Sequence, residues 1–385
     1  MKKTLIILLH GPLSKREYET FGIKYLKKKF KLAIAEIGPL VDSSHYNFKR
    51  NYKFPLMKDF KDLEIFLSTK RDAMCWETGF SYNSLKVAYI LKKYKIKTIS
   101  ADGISSLPTR RFLKETRHLE IFLRRIKLFF FHPLIFLNRV SFFLQAKLRV
   151  LRYKKIDIAL IGGKSYEEYP GYKNAEHKIY CSSLDYGVYL KKKKIGFKNK
   201  KKFAVFIDAY LPFHPEHRET LNKFIDPKEY FRSLVNFLNK FQKATNLEVI
   251  VAIYPKADLK KYSKDFKKFR LISNKVSELV KSCEVVLHHG STAQSYAVIF
   301  NKPAIYLTTN AVEEHKYIRD GGTRIEFMGS KIINIDSDNS SFFKNKKKIF
   351  QYNKKIYSNY LNNFLKHDLS DNIPWFKSFN KYFNN

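Results

Sequence analysis

The stretch Val285–Thr309 reads V-V-L-H-H-G-S-T-A-Q-S-Y-A-V-I-F-N-K-P-A-I-Y-L-T-T, and its reading decides the fold. Val285 to Leu287 is a short apolar run of the kind a buried parallel strand carries. His288, His289 and Gly290 make a tight turn. Ser291 and Thr292 offer hydroxyls where a helix should begin. Ala293 to Phe300 continue that helix, with Tyr296, Ala297 and Phe300 on one side. Lys302-Pro303 ends it, and Ala304 to Leu307 form the next strand. The glycine thus sits at a strand's carboxyl end, where backbone N–H groups and the helix dipole favour an anion. Taken alone, the run fits an ordinary βαβ connection with a serine cap equally well.

The same alternation extends in both directions. Upstream lie Phe203–Ile207, a helix over Pro227–Phe241, Glu248–Ile253, Leu271–Ser273 and a helix over Val276–Ser282. The first half repeats the pattern with strands over Thr4–Leu9, Leu32–Ile37, Ala73–Trp76, Ile96–Ser100, Ile156–Ile161 and Lys178–Cys181. One helix is expected within Leu13–Phe30 and another over Tyr82–Tyr94. Strands alternating with helices at this spacing indicate parallel α/β sheets. The expected organisation is a Rossmann-like domain over residues 1–195, a second over 196–340, and a helical segment over 341–385 packing back on the first. The lysine-rich run Lys191–Lys202 is the expected linker.

The chain has 385 residues, long enough for two cores. Its 44% hydrophobic and 16% aromatic content exclude general disorder. Lysine plus arginine outnumber aspartate plus glutamate by 74 to 35, a formal charge of +39 that implies an anionic partner. Three widely spaced cysteines form neither a zinc pattern nor a disulfide framework, so a reducing compartment is expected. The apolar run up to Leu9 is too short for a signal segment, and no stretch reaches the roughly 20 apolar residues of a membrane span. Arg110–Arg152 mixes phenylalanine and leucine with arginine and lysine, divided by His132-Pro133. Basic aromatic helices of this kind suit an anionic membrane surface, or pack their rings inward and leave the charges in water.

In parallel sheets, ligands meet the carboxyl ends of strands. Asp208 follows the strand Phe203–Ile207 there and leads into a turn with His214-Pro215, the position of a catalytic carboxylate or of a turn cap. Lys256, after Tyr254-Pro255, is placed to meet a phosphate as a point charge. Glu77 and Asp102 follow strands of the first half and serve equally as solvated loop carboxylates. Asp336-Ser337-Asp338 is expected to be a polar loop, no His/Cys cluster appears, and no metal site is assigned.

Three runs stand in order: F-I-D-A-Y-L-P-F-H-P-E (206–216), A-I-Y-P-K (252–256) and H-G-S-T-A-Q-S-Y-A-V-I-F-N-K-P-A-I-Y-L-T (289–308). Together they resemble bacterial surface-carbohydrate biosynthesis glycosyltransferases of GT-B fold, including the retaining β-Kdo transferases of O-antigen and capsule synthesis. The resemblance covers mainly residues 203–310, and touches the first half through Lys15-Arg16-Glu17 and Ser183–Tyr186. It implies an α/β, GT-B architecture of two Rossmann-like domains facing a central cleft, with a helical C-terminal segment. It further implies Asp208 as a carboxylate nucleophile, His214 as a group that orients it or contacts the donor, and Lys256 beside the nucleotide. His289, Gly290, Ser291, Thr292 and Ser295 match the segment that holds cytidine monophosphate. Tyr254 departs from the pattern, since the family usually has His-Pro where this chain has Tyr-Pro. A phenol cannot carry the positive charge that an imidazole can.

The expected partners are therefore a CMP-activated sugar, Kdo or a related 3-deoxy-ulosonic acid, and a glycan or lipid-linked acceptor, with Asp102 or Glu77 as acceptor-side base. No cofactor and no metal are required. The expected location is cytoplasmic, peripheral on the inner membrane through its anionic surface. Competing readings are a sialic, legionaminic or pseudaminic acid transferase, a polyol-phosphate transferase of the teichoic-acid type, and a basic nucleic-acid-binding protein. Against the last, the aromatics lie at core spacing and no RNP or KH pattern appears, so nucleic acid is not an expected partner.

Overall fold

The computed structural model describes residues 2–41, 51–78, 85–105, 118–137, 140, 141, 144, 148, 156–169, 171–214, 221–258, 264–315 and 327–384. The chain divides into two compact units. One takes residues 1–105, 129–187 and 363–385, and the other takes 106–128 and 188–362.

The first unit holds a six-stranded sheet. Its strands are β1 (Thr4–Leu9), β2 (Lys31–Glu36), β3 (Met74–Glu77), β4 (Lys97–Ser100), β5 (Ile158–Ile161) and β6 (His177–Tyr180). They run in the order β2-β1-β3-β4-β5-β6, every pair parallel. Side chains alternate across β1 and both faces are covered. Leu5, Ile7 and Leu9 enter one cluster with Trp375, Phe376 and Phe379. Ile6 and Leu8 enter another with Leu63, Leu67 and Ile90. Burial on both faces is why the strand reads as an unbroken apolar run.

The expected helix within Leu13–Phe30 is two helices, Lys15–Thr20 and Ile23–Lys29. Ser14 caps the first through a reciprocal pair with Glu17. The break falls at Gly22, which holds φ +67°, and a Cβ there would stand 2.3 Å from the Phe376 ring. Positive φ and ring contact both demand glycine. Phe376 belongs to the terminal helix Trp375–Asn384, whose Trp375 ring lies edge-on to Trp76 and donates from Nε1 to the Thr20 carbonyl at 3.2 Å. The last 23 residues thus complete the first unit's core.

The second unit holds β7 (Phe203–Ile207), β8 (Glu248–Ile253), β9 (Arg270–Ser273), β10 (Val285–His288), β11 (Ala304–Thr308) and β12 (Lys331–Asn334). Their order is β12-β11-β10-β7-β8-β9, again all parallel. The helix Pro227–Thr245 packs Phe231, Leu234, Phe237, Leu238 and Phe241 into the core of one face. Asp226 caps it and Asn246 ends it in the left-handed region. The expected linker carries no regular element after Lys192, yet it is tied down. Ser282 Oγ accepts the Phe197 N–H at 2.9 Å, and Lys281 Nζ donates to the Lys193 carbonyl at 2.7 Å.

In the basic aromatic segment, a helix spans His118–Phe131 and a short helical turn covers 133–137, divided at His132. Residues 110–117, 138–139, 142–143, 145–147 and 149–152 of that segment lie outside the described residues, as do 82–84 of the expected helix over Tyr82–Tyr94. Among the described residues, no helix is long and apolar enough to cross a membrane.

Trp375→Ala removes an indole from between Trp76 and Phe379 and leaves the Thr20 carbonyl without its donor. We expect a loss of about 3–5 kcal/mol, read by urea denaturation.

Candidate functional site

The register of three strands builds the site. Ile207 of β7 pairs with Ala252 of β8 on one side and His288 of β10 on the other. Asp208, Tyr254 and the His289-Gly290 turn therefore leave one rim of one sheet on neighbouring strands, with about 5 Å between strands. This is the carboxyl rim, where parallel sheets meet ligands.

Asp208 is 2% exposed. Its Oδ1 accepts the Tyr210 N–H at 2.9 Å, and its Oδ2 accepts the Tyr254 N–H at 3.4 Å. The carboxylate thus fastens the β7 loop to the β8 loop. Tyr210 adopts φ +55°, a left-handed conformation that costs a bulky residue about 1–2 kcal/mol. Its ring lies parallel to Tyr254, centroids 5.7 Å apart at 4°, and His214 meets Tyr254 edge-on at 5.3 Å. Burial pushes the Tyr210 phenol above the usual tyrosine range, a hydrogen bond with Asp258 opposes the rise, and the Asp208 charge adds to it. Lys256 follows in a turn closed by the Ala257 N–H on the Tyr254 carbonyl at 3.0 Å, and it is half-buried.

The Gly290 turn differs from expectation in one respect. Its first helical turn is 3-10, Thr292–Gln294, and the α-helix after it spans only Ser295–Ile299. So short a helix has a small dipole, and several amides are already engaged. The Gly290 N–H donates to His288 Nδ1 at 3.1 Å, and the Ala293 N–H to Ser291 Oγ at 3.4 Å. Gly290 itself sits at φ +86°, which glycine alone adopts freely. His288 and His289 are wholly buried. His289 Nδ1 donates to the Leu307 carbonyl at 2.7 Å, and its ring is set against Phe206 and Tyr230. Ser295 is also wholly buried, Ser291 is half-buried and Thr292 is exposed. Hydroxyls of Ser291 and Thr292 are thus the groups of this turn nearest to solvent.

The sequence reading passed over Tyr210, whose place two residues after an aspartate is the signal of an Asx turn. It also passed over Gln294, which is wholly buried with neither amide atom hydrogen-bonded. In the first unit, Asp102 opens a 3-10 turn after β4, half-buried, and its charge reinforces the burial that raises the Tyr172 phenol. Glu77 ends β3, buried. Arg16 and Asp185, from the two loosely matching segments of the first half, form an ion pair at 3.0 Å. Asp336 and Asp338 cap neighbouring N–H groups in a polar loop. Among the described residues, no three His, Cys, Asp or Glu side chains converge as metal ligands do.

No family model and no curated protein matches the chain. Solved structures do. A variant of the wall teichoic acid polymerase TagF matches with TM-score 0.56 and 12% identity, over 99% of this chain and 88% of that one. The UDP complex of S. aureus MnaA gives 0.55 at 12%, over 100% and 97%. The Methanocaldococcus jannaschii UDP-GlcNAc 2-epimerase, in complex with UDP-GlcNAc and UDP, gives 0.53 at 13%, over 100% of both chains. The chain has the GT-B fold. At these identities the likeness concerns architecture, namely two parallel Rossmann-like sheets, and leaves substrate and chemistry to the residues at the rim.

Asp208→Ala removes the side-chain acceptors of two backbone N–H groups, those of Tyr210 and Tyr254, and Asp208→Asn keeps one carbonyl oxygen. Each orphaned buried N–H costs about 1–3 kcal/mol. We expect the alanine variant to melt well below wild type and the asparagine variant to fall between them, read by differential scanning calorimetry.

Proposed function

We propose that the chain is a glycosyltransferase of surface-glycan assembly. It moves a 3-deoxy-ulosonic acid, Kdo or a relative, from a CMP-activated donor to a glycan or lipid-linked acceptor. The observation that carries this reading is the convergence of Asp208, Tyr254 and the Gly290 turn on adjacent strand ends. In two displacements, a carboxylate oxygen of Asp208 attacks the anomeric carbon and CMP departs. An acceptor hydroxyl then displaces Asp208, loses its proton to a base, and restores the starting configuration. Oδ2 has the longer hydrogen bond, 3.4 Å against 2.9 Å, and is the oxygen assigned to attack. Lys256 supplies a point charge for the phosphate, and the Ser291 and Thr292 hydroxyls supply donors. Tyr254 donates a hydrogen bond but no positive charge, so departure relies on CMP being a good leaving group and on Lys256.

The MnaA structure holds UDP and the Methanocaldococcus jannaschii UDP-GlcNAc 2-epimerase holds UDP-GlcNAc and UDP, which supports a nucleotide donor and makes CMP against UDP the first comparison. The likeness to TagF favours one second reading, polyol-phosphate transfer.

A thermal-shift panel over CMP, CDP, UDP and GDP tests the donor. CMP is expected to raise the melting temperature most, whereas a dominant CDP response supports the polyol-phosphate reading. Lys256→Ala and Ser291→Ala should each weaken CMP binding by about 1–2 kcal/mol. Asp208→Asn should keep the CMP shift and lose turnover of CMP-Kdo. Near-normal turnover in that variant sinks the covalent mechanism.

The cytoplasmic, membrane-peripheral location belongs to the same proposal. Phe130 and Phe131 end one helix and Leu134 lies in the helical turn after His132; they are 72%, 69% and 75% exposed. Bulky rings with cations on a protein of charge +39 suit an anionic bilayer surface. Vesicles containing phosphatidylglycerol should float with the protein. Replacing Phe130 and Phe131 by serine should lower partitioning at least about tenfold. Equal flotation of wild type and variant counts against this surface.

A further inference from the structure

On the second sheet's opposite rim, the amino ends of β7, β8 and β9 border an open groove of about 710 Å³. Lys198, Lys200, Lys201, Lys243 and Arg270 line it against a single carboxylate, Glu248. The five cations come from three separate segments: the run before β7, the end of the helix Pro227–Thr245, and the start of β9. Their convergence is a property of the fold and not of one lysine tract. All five are exposed.

The groove has a fixed floor. Asn199 Nδ2 donates to Glu248 Oε2 at 3.0 Å and to the Lys201 carbonyl at 2.8 Å. Arg270 Nη1 donates to Asn199 Oδ1 at 3.1 Å, and its guanidinium lies over the Phe197 ring at 5.1 Å. Gln242 Oε1 accepts the Val249 N–H at 2.7 Å. Glu248 is therefore engaged with Asn199, and the cations lie around it with like charges as neighbours. A concentration of positive charge of this kind attracts an anion.

We propose that this groove binds an acidic polysaccharide, a chain of sugars bearing carboxylates. The lining chemistry suits this occupant. Lysine, arginine, asparagine and glutamine side chains meet carboxylates and hydroxyls. No aromatic side chain lines the groove, so the stacking platform of a single-stranded nucleic-acid site is missing among its lining residues. Its one apolar residue, Leu247, is buried, so nothing there inserts into a bilayer. The groove lies at the rim opposite to Asp208, so it holds a chain away from the reacting end. This proposal stands apart from the donor assignment.

The test uses the full chain and polysialic acid as probe, with neutral dextran, single-stranded DNA and phosphatidylglycerol vesicles as comparisons. Wild type should bind polysialic acid with affinity that falls steeply with salt, and dextran not at all. The variant Lys200→Glu, Lys201→Glu, Lys243→Glu should bind at least about tenfold more weakly with a shallower salt dependence. Its melting temperature and its CMP thermal shift should match wild type. Lys200→Gln, Lys201→Gln, Lys243→Gln should fall between the two. The proposal fails if the reversed variant binds polysialic acid as wild type does. It also fails if DNA or the vesicles lose more affinity than the glycan on reversal. A wild-type protein that shows no CMP shift but binds polysialic acid with the expected salt dependence would instead remove the donor assignment and leave the groove standing.

Discussion

One register constraint organises the second half of the molecule. Ile207 pairs with Ala252 and with His288, so the chains leaving β7, β8 and β10 depart from neighbouring points on one edge. A shift of one residue would exchange the side chains on the two buried faces, each packed closely into its own core, so the pairing register is held by that packing. The position of Asp208 beside Tyr254 and the Gly290 turn is thus a by-product of packing Phe206, Val251 and Leu287 into one core. Chemistry at such a rim inherits its precision from apolar residues that never touch a ligand.

Asp208 illustrates how structural and chemical roles combine. Its two backbone hydrogen bonds are those of a turn cap, and that description was available from the sequence as the plainer alternative. A carboxylate fixed by two N–H groups is also preorganised, so little conformational freedom remains to be lost on reaching a reacting carbon. Tyr210 held at φ +55° next to it is strain sustained by the surrounding packing, and such strain gathers at functional sites. The capping geometry therefore does not compete with the nucleophile assignment.

The central strands were legible in the sequence because they are covered on both faces, whereas the edge strand Lys331–Asn334, with Ile332 exposed, was not among those expected. Runs such as Thr4–Leu9 and Glu248–Ile253 keep their β-rich apolar character without interruption. Breaks within helices were less so. At Gly22 the only local mark is the glycine itself, which takes φ +67° and meets the Phe376 ring arriving from more than 350 residues downstream. The helix after Gly290 was overestimated for a related reason. Ser291, Thr292 and Ala293 have the composition of a helix start, but the turn resolves its N–H groups on His288 and Ser291 and reaches α geometry only at Ser295. At the site, residues with charge or a hydroxyl stood out, whereas Tyr210 and Gln294 did not, because burial and backbone conformation give them their interest.

Charge tells a similar story from the other side. A formal charge of +39 suggests an anionic partner without saying where it docks. Lysine tracts read as solvated loops when taken one at a time, and most of a basic surface is that. Spatial convergence separates a site from a background of lysines. Lys243 ends a helix, Arg270 opens a strand and Lys198 precedes another, yet all three border one groove. With 74 cations to 35 carboxylates, many cations lack a carboxylate of their own, so the segments that supply them matter more than the local count. Here five meet one carboxylate, and that carboxylate is already engaged by Asn199. Arg270 is held by Asn199 and the Phe197 ring, so one cation of the groove is fixed by the fold while the lysines bring charge to it from separate segments.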